Sequence, residues 1–157
     1  MAIDLTALLA DGVIIPLSDA TSRKQAILKL AEMLASRIGV EPRAVVDAVM
    51  EREQLGSTGV GEGVAIPHAR IDGLTKPVGG YMRLKAGVDF DAVDEHPCDI
   101  VFMLLAPTDS GADHLRALAQ VSRAFRQPTV RDRLRAAVTE DGVWSILCQA
   151  GQNASVA

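Results

Sequence analysis

The chain has 157 residues, of which 48% are hydrophobic and 23% charged, and this size and composition predict one globular domain with a core large enough to fold unaided. The formal net charge of -4 argues against nucleic-acid binding, which requires a basic patch or stripe. No apolar run approaches the roughly 18 residues of a transmembrane helix, and the amino terminus lacks the basic and apolar regions of a signal peptide. We therefore expect a cytoplasmic protein with no direct membrane insertion.

The first half of the chain is predicted to be mainly helical. In chain order, the predicted elements are a helix over 4–10, an edge strand over 13–17, an amphipathic helix from about 19 to 38 and a helix from 42 to about 55. Asp4 can cap the first helix, and Pro16 confines its strand to a sheet edge because proline has no backbone N–H. Gly39 is a natural helix stop, and Pro42 suits a first helical turn. The last turn of the fourth element then carries Arg52.

The second half alternates strands with helices. Apolar runs predict strands over 64–66, 78–84 and 100–105, and helical spacing predicts helices over 113–125, 129–138 and 140–148. The run over 100–105 is the most hydrophobic, which indicates a central strand buried on both faces. The connection over 87–97 is polar but contains Phe90, which we expect to lie on the core. Along the predicted helix over 113–125, Leu115, Leu118, Ser122 and Phe125 fall on one side.

These elements predict an α/β fold: a single domain with a mixed β-sheet and helices packed on both faces. Residues 1–150 would form the domain and residues 151–157, which are small and polar, a flexible tail. Cys98 and Cys148 lie far apart without a paired motif, so we expect free thiols rather than a disulfide or a metal site.

The stretch over 52–70, REQLGSTGVGEGVAIPHAR, carries the residues typical of a phosphoryl site. Its four glycines permit positive φ angles, and successive N–H groups in such turns can bind an anion. Arg52 and Arg70 add positive charge, and an arginine fork matches phosphoryl oxygens. Ser57 and Thr58 add hydroxyl donors. From spacing alone, a glycine-rich surface loop beside an ordinary exposed histidine remains an alternative.

A second histidine, His114, falls at the start of the helix that follows the central strand. Ligands of open α/β sheets gather beyond the strand ends, where helix starts offer free N–H groups and partial positive charge. His68 and His114 could therefore meet over one phosphoryl group. Alternatively, Asp113 caps the helix and His114 is a solvated neighbour. His96, which precedes Pro97, is interpreted as a turn residue.

Three stretches together resemble the enzyme IIA domains of the phosphotransferase system, of the fructose/mannitol type and its nitrogen-regulatory branch. They are REQLGSTGVGEGVAIPH over 52–68, FDAVDEHPCDIVFMLLAP over 90–107 and HLRALA over 114–119. The resemblance implies a mixed sheet between helices. It implies that His68 accepts a phosphoryl group from a small histidine phosphocarrier protein (HPr- or NPr-like), that His114 supports the phosphoryl oxygens and that Arg52 lies in the same pocket. Glu62 stands where sugar-specific members often carry Glu and nitrogen-type members often carry Asn.

The predicted mechanism is phosphoryl transfer to His68 without a metal or another cofactor. The transition state is loose and in line, so the protein mainly positions groups and neutralises charge. Arg52, Ser57, Thr58, Gly61 and Glu62 are expected to form the phosphoryl-binding site. Glu62 or a backbone carbonyl is also expected to fix the His68 tautomer. The absence of a fused membrane domain favours a stand-alone regulatory protein, whose targets would be sensor kinases or ion transporters.

Three other functions remain open. A sugar-specific enzyme IIA would pass its phosphoryl group to a fructose/mannitol-type IIB. A purely regulatory module would use phosphorylation to make or break partner contacts. A metal hydrolase would use His68, His114 and a carboxylate such as Glu62 or Asp113, although the sequence lacks a His-Glu-x-x-His helix and a cysteine pair.

Overall fold

The computed structural model describes the backbone of residues 5–156 and the side chains of residues 5–150. Its helices are α1 Leu5–Ala10, α2 Arg23–Ile38, α3 Pro42–Leu55, α4 Ala112–Arg126, α5 Pro128–Ala136 and α6 Glu140–Val156. Its strands are β1 Val13–Ser18, β2 Gly59–Gly61, β3 Val64–Ala65, β4 His68–Ile71, β5 Val78–Val88 and β6 Cys98–Pro107. The cap predicted at Asp4 lies outside the described residues.

The boundaries of α2 and α3 follow the local chemistry of their sequences. Ser22 caps α2 by accepting a hydrogen bond of 3.1 Å from the backbone N–H of Gln25. Gly39 ends α2 in the left-handed conformation, with φ of 73°. Pro42 is the first residue of α3, where its missing N–H costs nothing. The sequence predicted both boundaries because each depends only on nearby residues.

The sheet is mixed, with the strand order β1-β5-β6-β3-β2. β6 is central: it pairs antiparallel with β5 and parallel with β3, and β4 pairs parallel with it beyond the end of β3. β1 is an edge strand, as Pro16 predicted. The fold class predicted from the sequence is therefore confirmed.

Two apolar cores cover the two faces of this sheet. One contains the buried faces of α2 and α3, and the other contains those of α1, α4, α5 and α6. Alternate residues of β6 enter opposite cores: Val101, Met103 and Leu105 enter the first, and Ile100, Phe102 and Leu104 enter the second. This alternation confirms the prediction of a central strand buried on both faces. Phe90 is fully buried in the first core, also as predicted.

The region before His68 differs from the prediction. The sequence predicted one strand over 64–66 whose end presents His68, whereas the structure has the hairpin β2–β3 and then a separate strand, β4, whose first residue is His68. Pro67 interrupts the strand because it has no N–H to donate, but its carbonyl accepts a hydrogen bond of 2.9 Å from Leu104 N–H. The pairing with β6 therefore continues past the proline.

The side of α4 that the sequence pattern marked is only partly the buried one: Phe125 is buried and Leu118 packs against the core. Leu115 is 66% exposed, and Ser122 is only partly buried. The side chains of α4 that the structure buries are His114, Ala117, Val121, Ala124 and Phe125. This stripe begins one residue earlier, so that the small alanines face the sheet and the imidazole of His114 is buried at the helix start.

Two other elements continue past their predicted carboxyl ends. β5 runs on to Val88, and α6 runs on to Val156 rather than ending near Cys148; the flexible tail over 151–157 stays a prediction. Cys98 is buried and Cys148 partly exposed, and both thiols are free. None of the helices in the described part of the chain is long and apolar enough to cross a membrane.

Candidate functional site

His68 is oriented by a hydrogen bond within its own segment. It pairs with Leu104 of β6 through the backbone, and its half-buried ring places Nδ1 2.9 Å from the carbonyl oxygen of Ile66. A carbonyl only accepts hydrogen bonds, so Nδ1 of the neutral ring carries the proton and donates it. Nε2 is then the unprotonated nitrogen, with a lone pair available for nucleophilic attack.

His114 lies beside His68 in the first turn of α4. The two ring centroids are 5.5 Å apart, and the ring planes are inclined by 50°. His114 is only 6% exposed, and its Nδ1 has no hydrogen-bond partner among the described residues. Gly111, at φ of 54°, precedes the helix without a side-chain cap. The structure therefore brings the two predicted histidines together at a helix start that can accept an anion.

Burial favours the neutral form of both histidines. It lowers the pKa of His68 below 6.5, and the charge of Arg52 adds to this effect, whereas the hydrogen bond to Ile66 opposes it. Burial also lowers the pKa of His114 to about 4, with smaller contributions from His68 and Arg70. A neutral His68 is the form that can act as a nucleophile.

The two imidazoles open on a cleft of about 380 Å³ between the end of α3 and the start of α4. Charged groups at its wall are Glu51, Arg52 and Arg70, and Leu55 adds an exposed apolar side chain. Arg52 lies in the last turn of α3, where its Nη1 donates a hydrogen bond of 2.9 Å to the carbonyl of Gly56. The predicted grouping of Arg52 with both histidines is therefore present in the structure.

Ser57 and Thr58 are not part of this cleft. The hydroxyl of Ser57 donates to the carbonyl of Phe90 and accepts a hydrogen bond of 2.9 Å from Gly59 N–H. The hydroxyl of Thr58 is buried and donates to the carboxylate of Glu53. Both hydroxyls thus hold the loop in place, and their positions do not support the phosphoryl-binding role predicted for them.

Gly61 ends β2 and Glu62 begins the β2–β3 turn, and both lie away from the cleft. Their φ angles are 97° and 57°, and the following Gly63 has φ of 81°. The backbone N–H of Glu62 donates to Asp94 and its carbonyl accepts from Arg135, both at 2.9 Å. The glycines therefore shape a left-handed turn, and their positions do not support a phosphoryl-binding role either.

Glu62 also does not orient the imidazole of His68. Of the two groups predicted for that task, the backbone carbonyl, that of Ile66, occupies the position. His96 is an exposed turn residue whose Nδ1 lies 3.4 Å from Asp94, away from the cleft, as predicted. Glu51 and Leu55 also line the cleft and were not predicted to do so. Their only signal in the sequence is their place beside Arg52 at the end of a predicted helix.

The donor set of the site suits an anion. No group of three or more His, Cys, Asp or Glu side chains that could hold a metal occurs among the described residues. The cleft instead offers two guanidinium groups, two imidazoles and a helix start, which bind negatively charged oxygens.

A family model decides the relationship: residues 7–150 match EIIA 2 of the phosphoenolpyruvate-dependent sugar phosphotransferase system. The chain belongs to this EIIA 2 family. It is 42% identical to a nitrogen regulatory protein of Bradyrhizobium diazoefficiens over 91% of this chain and 94% of the relative. It is 37% identical to a fructose-specific EIIA component of Haloferax volcanii over 87% of this chain and 90% of the relative.

A solved structure confirms the fold of this EIIA domain. Nitrogen regulatory protein IIA-Ntr of Neisseria meningitidis superposes with a TM-score of 0.84 at 30% identity, covering 91% of this chain and 98% of that one. The resemblance identified from the three sequence stretches is therefore correct, and this EIIA domain is a component of a phosphotransferase system.

Proposed function

We propose that this EIIA domain accepts a phosphoryl group on Nε2 of His68 from the phosphohistidine of a small HPr- or NPr-like phosphocarrier protein. The observation that carries the proposal is the hydrogen bond from Nδ1 of His68 to the carbonyl of Ile66. It holds the ring as the tautomer whose nucleophilic nitrogen is Nε2, in a cleft shared with Arg52 and His114.

The transfer exchanges one P–N bond for another. The bond between phosphorus and the donor imidazole breaks as the bond to Nε2 of His68 forms, and the two nitrogens are roughly in line. The departing imidazole keeps the electron pair of the broken bond and leaves as a neutral ring, so the transfer requires no net proton uptake. On this chain, phospho-His68 becomes positively charged in its ring while its phosphoryl oxygens carry negative charge.

We expect three groups on this chain to stabilise those oxygens. Arg52 supplies a guanidinium with donors beyond the one that it gives to Gly56. His114 is neutral at pH 7 because of its lowered pKa, so its imidazole carries one N–H that can donate. The first turn of α4 adds backbone N–H groups. Donors fixed in this way stabilise developing charge without the cost of reorienting solvent.

Phosphate transfer from a labelled phosphocarrier tests this proposal directly. We expect the wild type to acquire an acid-labile, base-stable label, His68→Ala to acquire none and His114→Ala to be labelled more slowly while keeping its circular dichroism. His96→Ala removes an exposed histidine outside the cleft and serves as the matched control. Label that survives in His68→Ala, or an unchanged rate in His114→Ala, would overturn the assigned roles.

The hydrolase alternative instead requires an activity that a chelator abolishes and zinc restores, with one zinc bound per chain.

The cellular role that we propose is regulation in a nitrogen-type phosphotransferase system. It is supported by 42% identity over 91% of the chain to a protein named for nitrogen regulation. The targets would be proteins such as sensor kinases or ion transporters, which bind one phosphorylation state in preference to the other. Capture experiments with wild type, His68→Ala and His68→Glu should retain different partners if phosphorylation controls binding.

A sugar-transport role is the second candidate, and the 37% identity to a fructose-specific EIIA component favours it. It requires that phospho-His68 pass its phosphoryl group to a fructose/mannitol-type IIB. Rapid loss of label from this chain to such a IIB would establish this role. Label that stays on the EIIA domain in the presence of IIB would favour regulation.

A further inference from the structure

Arg70 places a second guanidinium in the cleft of His68. Along β4, Ala69 and Ile71 are buried, whereas His68 is half-buried and Arg70 exposed. Side chains two residues apart on a strand leave the same face about 7 Å apart. Arg70 and His68 therefore project from one face of β4, and both line the same cleft.

The guanidinium of Arg70 has no hydrogen bond or ion pair within the described part of the chain. Arg52 differs, because its Nη1 is bound to the carbonyl of Gly56. The carboxylate of Glu51 also lines the cleft, but among the described residues it forms no ion pair with either arginine. The fork of Arg70 is thus free to bind an anion that enters the cleft.

The charge of Arg70 acts on the groups that would surround a phosphoryl group. It contributes to the lowered pKa of the His114 imidazole, after burial and after His68. Positive charge gathered in this way opposes the protonation of either imidazole, and it favours a group that brings negative charge into the cleft. Phosphorylation of His68 brings such a group.

We infer that Arg70 binds the phosphoryl oxygens of phospho-His68 and thereby shifts the phosphoryl-transfer equilibrium toward this chain. The inference rests on the proposed function, in which His68 is the acceptor. Arg70 makes no covalent bond and moves no proton. Its planar donors pair with two oxygens of the transferred group, so its contribution is larger in the phosphorylated state than in the free state.

The test compares Arg70→Gln and Arg70→Lys with Arg116→Gln. Arg116 is an exposed arginine on α4 whose Nη1 lies 2.9 Å from Asp113, and it does not line the cleft. Its substitution changes the net charge equally, so it controls for long-range electrostatics. The equilibrium constant for transfer from a labelled phosphocarrier is measured for each protein. We expect a shift of about tenfold toward the carrier in Arg70→Gln, the size of one charge-assisted hydrogen bond, no shift in Arg116→Gln and partial recovery in Arg70→Lys.

A second measurement does not depend on the carrier. Inorganic phosphate is titrated into each unphosphorylated protein while the imidazole resonances of His68 and His114 are followed by NMR. We expect weaker phosphate binding in Arg70→Gln than in Arg116→Gln.

The inference would be overturned if Arg70→Gln left both the equilibrium constant and the phosphate affinity unchanged. The label on His68 would still uphold the proposed function in that case. A change in the association rate alone would also overturn it, because it would assign Arg70 to attracting the partner. Absence of label in the wild type would contradict the proposed function, and the phosphate titration would still decide whether Arg70 binds the anion.

Discussion

Burial of His114 as a neutral imidazole should make the stability of the protein depend on pH. The ordinary histidine pKa is 6.5, and burial lowers that of His114 to about 4 in the folded state. Between these two values the unfolded chain binds a proton that the folded chain does not. Stability therefore falls as pH falls through this window, by up to about 1.4 kcal/mol per pH unit. The contribution is complete above pH 6.5 and is lost by about pH 4.

His114→Gln removes this titration and keeps a polar side chain of similar length. From pH 7.5 to 4.5, the free energy of unfolding of the wild type should fall by about 2.5 kcal/mol more than that of the variant. This value assumes that one proton binds His114 in the unfolded chain before it binds in the folded chain. The side chain is only 6% exposed, so solvent screening of the pKa shift is small. Other titrating groups cancel in the difference between the two proteins.

Urea denaturation at half-unit pH steps measures this difference. The variant will differ from the wild type at every pH because a buried side chain has changed, so only the slope of the difference with pH is informative. His96→Gln, at an exposed position, is the control and should follow the wild type. A difference between wild type and His114→Gln that stays constant from pH 7.5 to 4.5 would show that His114 is not held neutral by burial.

Three further predictions concern the loop before His68. Glu62 has φ of 57°, a conformation that Asn adopts more readily than Glu, so Glu62→Asn should raise the free energy of unfolding by about 0.5–1 kcal/mol. Gly63→Ala should lower the free energy of unfolding, because the added Cβ would lie 2.6 Å from Nη2 of Arg135. Changes of the opposite sign in thermal denaturation would refute the turn geometry. Thr58→Val keeps the shape of the side chain but removes the hydroxyl that binds the buried Glu53 carboxylate, so it should cost about 1–3 kcal/mol in urea denaturation. A neutral effect would mean that this hydrogen bond adds nothing to stability.

Local sequence patterns predicted the elements whose formation depends on nearby residues. The run over 100–105 had the length and hydrophobicity of a strand buried on both faces, and β6 is that strand. Gly39 and Pro42 marked helix boundaries through their own backbone preferences. In each case the physical cause lies within a few positions of the residue.

The elements that the sequence did not predict depend on partners that are distant in the chain. β4 has four residues and exists because its backbone pairs with β6, more than thirty positions later. On α4, the pattern of large apolar residues favoured Leu115, whereas the fold buries alanines that allow close packing on the sheet. The two candidate faces of this helix are shifted by one residue along the chain. The hydrophobic pattern alone could not decide which of them is buried.

The candidate site likewise contains residues that the sequence predicted and contacts that it could not predict. His68, His114 and Arg52 were proposed from the glycine-rich stretch and from the helix start, and the family motifs assign them to one pocket. The structure brings all three to one cleft. Ser57 and Thr58 have the chemistry of phosphoryl ligands, so residue type alone could not exclude them. Their hydroxyls are taken up by the carbonyl of Phe90 and the carboxylate of Glu53, and neither partner could be inferred from spacing.

The glycine-rich loop therefore acts on the site through shape. Its left-handed turn and its hydroxyl hydrogen bonds connect the end of α3, which carries Arg52, to the strands that lead to His68. In the proposed function, the anion-binding donors are instead the guanidinium groups and the start of α4. If this division holds, substitutions at Thr58 or Gly63 should change the free energy of unfolding more than the rate of phosphoryl transfer. Substitution of Arg52, which lies in the cleft, should slow transfer and leave stability nearly unchanged.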